Sequence, residues 1–256
     1  MTPGSHLRAL ARLSVLAAET TAVYALYRGL GLLLSEPGPA RERLHRFWSR
    51  AVLRLLRSTV RVSGNPPEPP FFLVSNHLSY LDVAVLYAHA PCTFVAKSEV
   101  AGWPGIGRIV RGAGHLFVDR ERKASLPETL AAMRGKLESG GGVSVFPEAT
   151  TSPGIEVLPF HSGFFQVAVE AGFPATCASL SYRTPEGTPH ASGSVCWWGG
   201  AGFLGHLYRL MALPSLEIAI RFAPNPVEGS TRKQMARRAW DAVAAEFVPV
   251  GELPAP

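Results

Sequence analysis

The chain has 256 residues, 47% of them apolar and 17% charged, with a formal net charge of +6. That length can bury a sizeable core, so one α/β domain with an appendage is the expected plan, although the composition is greasy for a soluble enzyme. The positive balance asks for an anionic partner, either an acidic membrane surface or nucleic acid. The basic residues are not interleaved with exposed aromatics and no reader motif is present, so nucleic acid is set aside. Cys92, Cys177 and Cys196 are odd in number and far apart in sequence. They exclude a disulfide framework and show no metal-ligand spacing, which suits small buried hydrophobes in a reducing compartment; no metal is expected.

In chain order, residues 13–34 are strongly apolar but interrupted by Glu19 and Arg28, whereas a membrane span wants about 20 predominantly apolar residues. The segment also lacks the compact basic region and small-residue cleavage site of a signal peptide. On a helix, Arg8, Arg12 and Glu19 fall within about 40° of one another. This helix is therefore expected in the membrane interface or packed on a partner helix, with a tilted span as the other reading. Beyond Pro37-Gly38-Pro39, Arg43, Arg46, Arg50, Arg54 and Arg57 recur at helical spacing, within an arc of about 80°. Leu44, Trp48, Val52, Leu55 and Leu56 hold much of the other side. Such a helix suits a surface of anionic lipid; the plainer reading is an amphipathic cover whose arginines are merely solvated. The proline-rich stretch 64–70 reads as a stiff linker. Residues 1–63 are accordingly assigned to N-terminal membrane-associating helices and 64–256 to an α/β domain.

The remainder alternates in α/β fashion. Strands are predicted at 71–75, 93–96, 143–146, 175–182, 195–198 and 216–222, and a short one leads to Arg120. Helices are predicted at 80–89, 126–138, 164–171, 204–213 and 231–247. The fold class is thus α/β, a mixed and largely parallel sheet covered by helices.

Three blocks carry possible chemistry. In Asn76-His77-Leu78-Ser79-Tyr80-Leu81-Asp82, a histidine at a strand end and an aspartate in the first helical turn can meet. The carboxylate would then fix the imidazole tautomer and make a general base, with Asn76 and Tyr80 shaping the turn. The plainer reading is a satisfied turn histidine and a helix-dipole aspartate. In Gly114-His115-Leu116-Phe117-Val118-Asp119-Arg120, a strand delivers an arginine suited to bidentate anion binding, or else an ordinary surface ion pair. In Phe146-Pro147-Glu148-Ala149-Thr150-Thr151-Ser152, a glutamate reaches the carboxyl end of a strand, where α/β sheets gather ligands; its plain alternative is a turn. The stretch 200–205, Gly-Ala-Gly-Phe-Leu-Gly, matches a dinucleotide fingerprint but lacks the acidic residue at the end of the next strand, so it is read as a turn.

Taken together and in this order, the His-x4-Asp, Gly-x-x-Phe-x-x-Arg and Phe-Pro-Glu blocks resemble the glycerolipid acyltransferases of the 1-acylglycerol-3-phosphate O-acyltransferase type. The likeness covers roughly residues 71–182, including Lys97, Pro104 and Gly107, and the stretch 170–174, Glu-Ala-Gly-Phe-Pro, looks like the start of that family's fourth motif. The resemblance implies transfer of a fatty acyl group from acyl-carrier protein or coenzyme A to the free hydroxyl of a lysolipid. His77 is then the general base and Asp82 its orienting partner. Asn76, Gly114, Phe117, Arg120, Glu148 and Thr150 serve the acceptor, no cofactor beyond the acyl thioester is needed, and no covalent acyl-enzyme forms. The expected place is the cytoplasmic face of the inner membrane. Lysophosphatidate is the first acceptor considered. Thr151 stands where the family has an arginine and Cys177 where it has a second proline, and the threonine resembles the branch that acylates lyso-ornithine lipid. The non-catalytic alternative is a peripheral lipid-binding protein of the same fold.

Overall fold

A computed structural model describes residues 2–34, 38–103, 106–119, 122 and 125–251. Two helices open the chain, α1 (Pro3–Leu33) and α2 (Gly38–Leu55), followed by β1 (Ser58–Ser63), β2 (Phe71–Ser75), α3 (Leu81–His89) and β3 (Thr93–Lys97). A 3-10 turn (Ser98–Gly102), α4 (Ile106–Gly112), β4 (Leu116–Val118), α5 (Ser125–Glu138), β5 (Gly142–Val145) and α6 (Phe165–Ala171) come next. β6 (Ala175–Arg183), α7 (Ala191–Ser194), α8 (Phe203–Ala212), β7 (Leu216–Phe222) and α9 (Arg232–Glu246) complete it.

The seven strands form one sheet in the order β1-β7-β6-β2-β5-β3-β4. Every neighbouring pair is parallel except β6 and β7. The mixed, largely parallel sheet expected from the alternation is therefore present. β2 is buried along its whole length and its side chains alternate between two cores, as the period of a strand requires. Phe71 and Leu73 join the core that also holds residues of α1, α2, α3 and α8. Phe72 and Val74 join the one under α5, α6 and α9.

Two expectations change. The alternating Ser-Thr-Val-Arg-Val-Ser at 58–63, grouped with the N-terminal helices in the sequence, is β1 and pairs in parallel with β7. A six-residue edge strand with one face in solvent carries little apolar signal, and the preceding helical pattern masks it. The predicted strand at 195–198 is instead the exit of α7 and the start of a loop. Val195 and Cys196 are buried, but four apolar residues do not distinguish a strand from any other buried segment.

The N-terminal helices are joined firmly to the sheet domain. Arg8 donates to the Ala212 carbonyl, and Arg12 to those of Met211, Leu213 and Pro214. These cations cap the C-terminal end of α8, where unpaired carbonyls concentrate negative potential. The two arginines of the polar stripe of α1 are thus spent on a partner helix, while Leu7, Leu10, Val15, Leu26, Leu32 and Leu33 remain exposed. On α2, Arg43, Arg50, Arg54 and Arg57 are exposed, whereas Arg46 donates to the Ala88 carbonyl at the end of α3.

Candidate active site

His77 lies two residues past the end of β2, at the carboxyl ends of the five co-directed strands, the usual place for a ligand in an open α/β sheet. Its Nδ1 lies 2.8 Å from Asp82 Oδ2. The turn that makes this possible is built by the aspartate itself. The same Oδ2 accepts the backbone N–H groups of Leu78 at 2.7 Å and Ser79 at 3.0 Å. A side chain in the first turn of α3 thus reaches back to satisfy donors that the helix leaves open. Oδ1 accepts the phenolic hydroxyl of Tyr182 from the end of β6. Asp82 is fully buried, with four donors around it, as a buried carboxylate requires. Because Nδ1 faces a carboxylate, the hydrogen-bond pattern assigns it the proton and leaves Nε2 as the basic nitrogen.

The imidazole is fixed on its face as well. Phe146, placed by β5, stacks on it with centroids 3.9 Å apart and planes 10° from parallel. Asn76 uses both ends of its amide on Leu180 of β6, donating to the carbonyl at 3.0 Å and accepting the N–H at 2.7 Å. It therefore extends the β2–β6 pairing beyond the strand rather than turning toward a ligand.

Glu148 is buried behind the same turn. Burial pushes its carboxyl up to about 8, against the pull of the His77 and Leu158 backbone N–H groups, and the charge on Asp82 raises it further. One oxygen accepts the Leu158 N–H at 3.3 Å, and the other is buried with no partner among the described residues. The next residue, Ala149, has φ +59°, in the left-handed region that glycine occupies without cost. The loop thus holds an alanine in a conformation that favours glycine. Thr150 is exposed. Thr151 Oγ1 donates to the Trp197 carbonyl, and the Ser152 N–H donates to the His77 carbonyl at 3.0 Å.

A cavity of about 730 Å³ opens at this turn, where His77, Tyr80, Phe146, Thr150 and Thr151 contribute to its wall. It continues beneath the N-terminal helices, lined by Leu16, Trp48, Val52, Leu56, Leu210 and Met211. Its wall also carries two histidines. His115 Nε2 lies 3.3 Å from His45 Nε2, while the Phe94 N–H donates to His115 Nδ1 and His45 Nδ1 meets the Tyr27 hydroxyl at 3.1 Å. Burial lowers both imidazoles, His115 to about 4 and His45 well below its ordinary range, so both are neutral and the lining remains uncharged there.

The structure thus brings His77, Asp82, Glu148 and Thr150 to one turn. Gly114, with φ +78°, precedes β4, and Phe117 lies half-buried within that strand. Arg120 and Pro104 lie outside the described residues. The Gly-rich stretch at 200–205 is a turn into α8, with Gly202 as its cap, as the missing acidic residue implied.

Residues 57–181 match the family model described as Acyltransferase. The lyso-ornithine lipid O-acyltransferase of Pseudomonas aeruginosa is 35% identical over 247 residues, covering 91% of this chain and 93% of its own. The chain belongs to the glycerolipid acyltransferase family. A 1-acyl-sn-glycerol-3-phosphate acyltransferase of Neisseria meningitidis is 33% identical over 175 residues, 68% of each chain. In fold, the crystal structure of the 1-acyl-sn-glycerophosphate acyltransferase from Thermotoga maritima superposes with a TM-score of 0.71 at 20% identity, covering 93% of this chain and 92% of that one. The protein is an acyltransferase, as the three blocks in sequence implied.

Sequence reading of this acyltransferase missed two residues of the site. Tyr182 sits 100 positions from the aspartate it bonds; its only signal was a tyrosine in an otherwise buried strand, which must find a hydrogen-bond partner. Phe146 was visible inside its block but gave no sign that its ring would cover His77.

Proposed function

We propose that this protein transfers a fatty acyl group from an acyl thioester of coenzyme A or acyl-carrier protein to the free hydroxyl of a lysolipid, on the cytoplasmic face of the inner membrane. His77 Nε2 takes the hydroxyl proton as the acceptor oxygen attacks the thioester carbonyl. The carbon–sulfur bond then breaks, and the proton passes from His77 to the departing thiolate. Asp82 holds the reactive tautomer and stabilises the imidazolium that forms in between. The observation that carries this reading is a histidine whose Nδ1 is tied to a buried carboxylate on the wall of a large, mostly apolar cavity. A peripheral lipid-binding protein would have no use for that pairing. The apolar outer face of α1 and the exposed arginines of α2 support attachment to an anionic bilayer.

Two acceptors have support of different kinds. 1-Acylglycerol-3-phosphate, giving phosphatidic acid, follows from the blocks and from the name of the Neisseria relative. Lyso-ornithine lipid is favoured by the name of the Pseudomonas relative, which matches over most of the chain. It is also favoured by Thr151, whose hydroxyl is engaged with the Trp197 carbonyl where an arginine would offer a phosphate two charged donors. Gly114, Phe117, Arg120, Glu148 and Thr150 are proposed to build the acceptor side. Purified protein is to be assayed with both lysolipids against acyl-coenzyme A and acyl-carrier protein, alongside His77→Ala. The wild type should acylate at least one acceptor and the variant none; transfer by His77→Ala at the wild-type rate would refute the reaction proposed.

A further inference from the structure

The family model ends at residue 181, yet the chain returns to the catalytic turn after α9. Four contacts lay residues 246–251 along β6 and onto the loop beside the site as a strap. Ser179 Oγ donates to the Glu246 carbonyl and Ser181 Oγ to the Val248 carbonyl, both at 2.7 Å. The Val250 N–H donates to the Gly154 carbonyl at 2.8 Å, and the Gly251 N–H to the Tyr182 carbonyl at 3.0 Å. The last two matter most, because each lands on a segment that holds the base. Tyr182 carries the hydroxyl on Asp82 Oδ1. Gly154 belongs to the loop whose Ser152 N–H holds the His77 carbonyl, and the Gly154 N–H is itself bonded to Ser152 Oγ at 3.2 Å.

The side chain of Val250 locks this arrangement. It is buried, and a β-carbon added to Gly154 would lie 2.2 Å from its Cγ2 and 3.2 Å from Leu78 Cδ2. Gly154 also has φ +78°, so glycine is required there both by conformation and by the closeness of the valine. Leu78 is the fully buried residue whose backbone N–H binds Asp82 Oδ2. Val250 thus closes on the loop and the turn that fix the two ends of the His77–Asp82 pair.

We propose that the C-terminal strap, keyed by Val250, is a positioning element for the His77–Asp82 base. This rests on the acyl-transfer reading for its kinetic consequence but not for its geometric one. Loosening the strap lets the pair depart from its productive geometry while no strap residue is withdrawn from the cavity, whose wall, among the described residues, contains none beyond Met211. A positioning defect of that kind lowers turnover and leaves binding alone.

The test compares full-length wild type, Val250→Ala and Val250→Ile, with folding followed by circular dichroism at the assay temperature. Val250→Ala should lower kcat about tenfold with KM for donor and acceptor within about twofold, and Val250→Ile should recover most of the loss. In the same samples, the low-field proton resonance of His77 Nδ1–H should shift or broaden in Val250→Ala. A wild-type kcat, or a loss of activity with an unmoved resonance, overturns the proposal. Should Val250→Ala fail to fold, Ser181→Ala, which removes a single strap bond, is judged by the same criteria. If the wild type transfers no acyl group to any lysolipid, the functional reading fails, and the resonance alone still decides the strap.

Discussion

Replacing Glu148 by glutamine tests the electrostatics behind the His77–Asp82 turn. In the folded protein burial raises its carboxyl from an ordinary 4.5 to about 8, so between those values the folded state holds a proton that the unfolded chain has lost. The stability associated with that proton is fully present below about 4.5 and drains away as the pH rises through about 8. A gap of this size sets a ceiling of about 5 kcal/mol, at about 1.4 kcal/mol for each tenfold in proton affinity. Local opening and water penetration around an ionised Glu148 bring the observable loss below that ceiling. Glutamine keeps the shape and the acceptor oxygen for the His77 and Leu158 N–H groups but cannot ionise. Thermal unfolding in detergent at pH 5.5 and 9 should show the wild type losing stability toward the higher pH and Glu148→Gln losing much less, so that the variant is the more stable at pH 9. Parallel pH dependences in the two proteins would refute the assignment of the neutral form to Glu148.

Tyr182→Phe removes the donor on Asp82 Oδ1; hydrogen bonds to a charged group contribute about 1.5–3 kcal/mol, so unfolding free energy should fall by that amount and kcat should fall with it, measured on the same preparation. Neutralising Arg43, Arg50, Arg54 and Arg57 to glutamine should weaken binding to anionic vesicles by about 1 kcal/mol for each arginine near the surface, with binding to neutral vesicles and turnover of detergent-dispersed substrate unchanged. Arg46 is left intact in that experiment because its guanidinium holds the end of α3.

How much of this was legible in the sequence depended on whether neighbours in space were neighbours in the chain. Strand 71–75 was placed correctly because burial on both faces leaves a continuous signal, and 216–222 because Leu216, Ile218, Ile220 and Phe222 alternate along one buried face. The His77–Asp82 pair was legible because one turn contains both partners. β1 was not, since an edge strand gains its stability from a partner, β7, more than 150 residues away. Tyr182 and Val250 escaped for the same reason: each reaches the site from a distant segment, and nothing in the local sequence marks a tyrosine as a carboxylate partner or a valine as a key. Arg8 and Arg12 show the converse. Their shared helical face was read as lying in the membrane interface or packed on a partner helix, and only the fold reveals that they pack on the carbonyl end of α8.

The placement of Leu16, Trp48 and Val52 has a practical side. These residues belong to the helices proposed to meet the bilayer, and they are also part of the wall of the cavity. Anchor and chamber are therefore one piece of architecture. A version trimmed of its first 57 residues to gain solubility would be a vessel with its roof removed, its apolar wall open to water. The segment proposed as the anchor thus supplies the roof of the cavity, so removing these helices and opening the cavity are the same mechanical event.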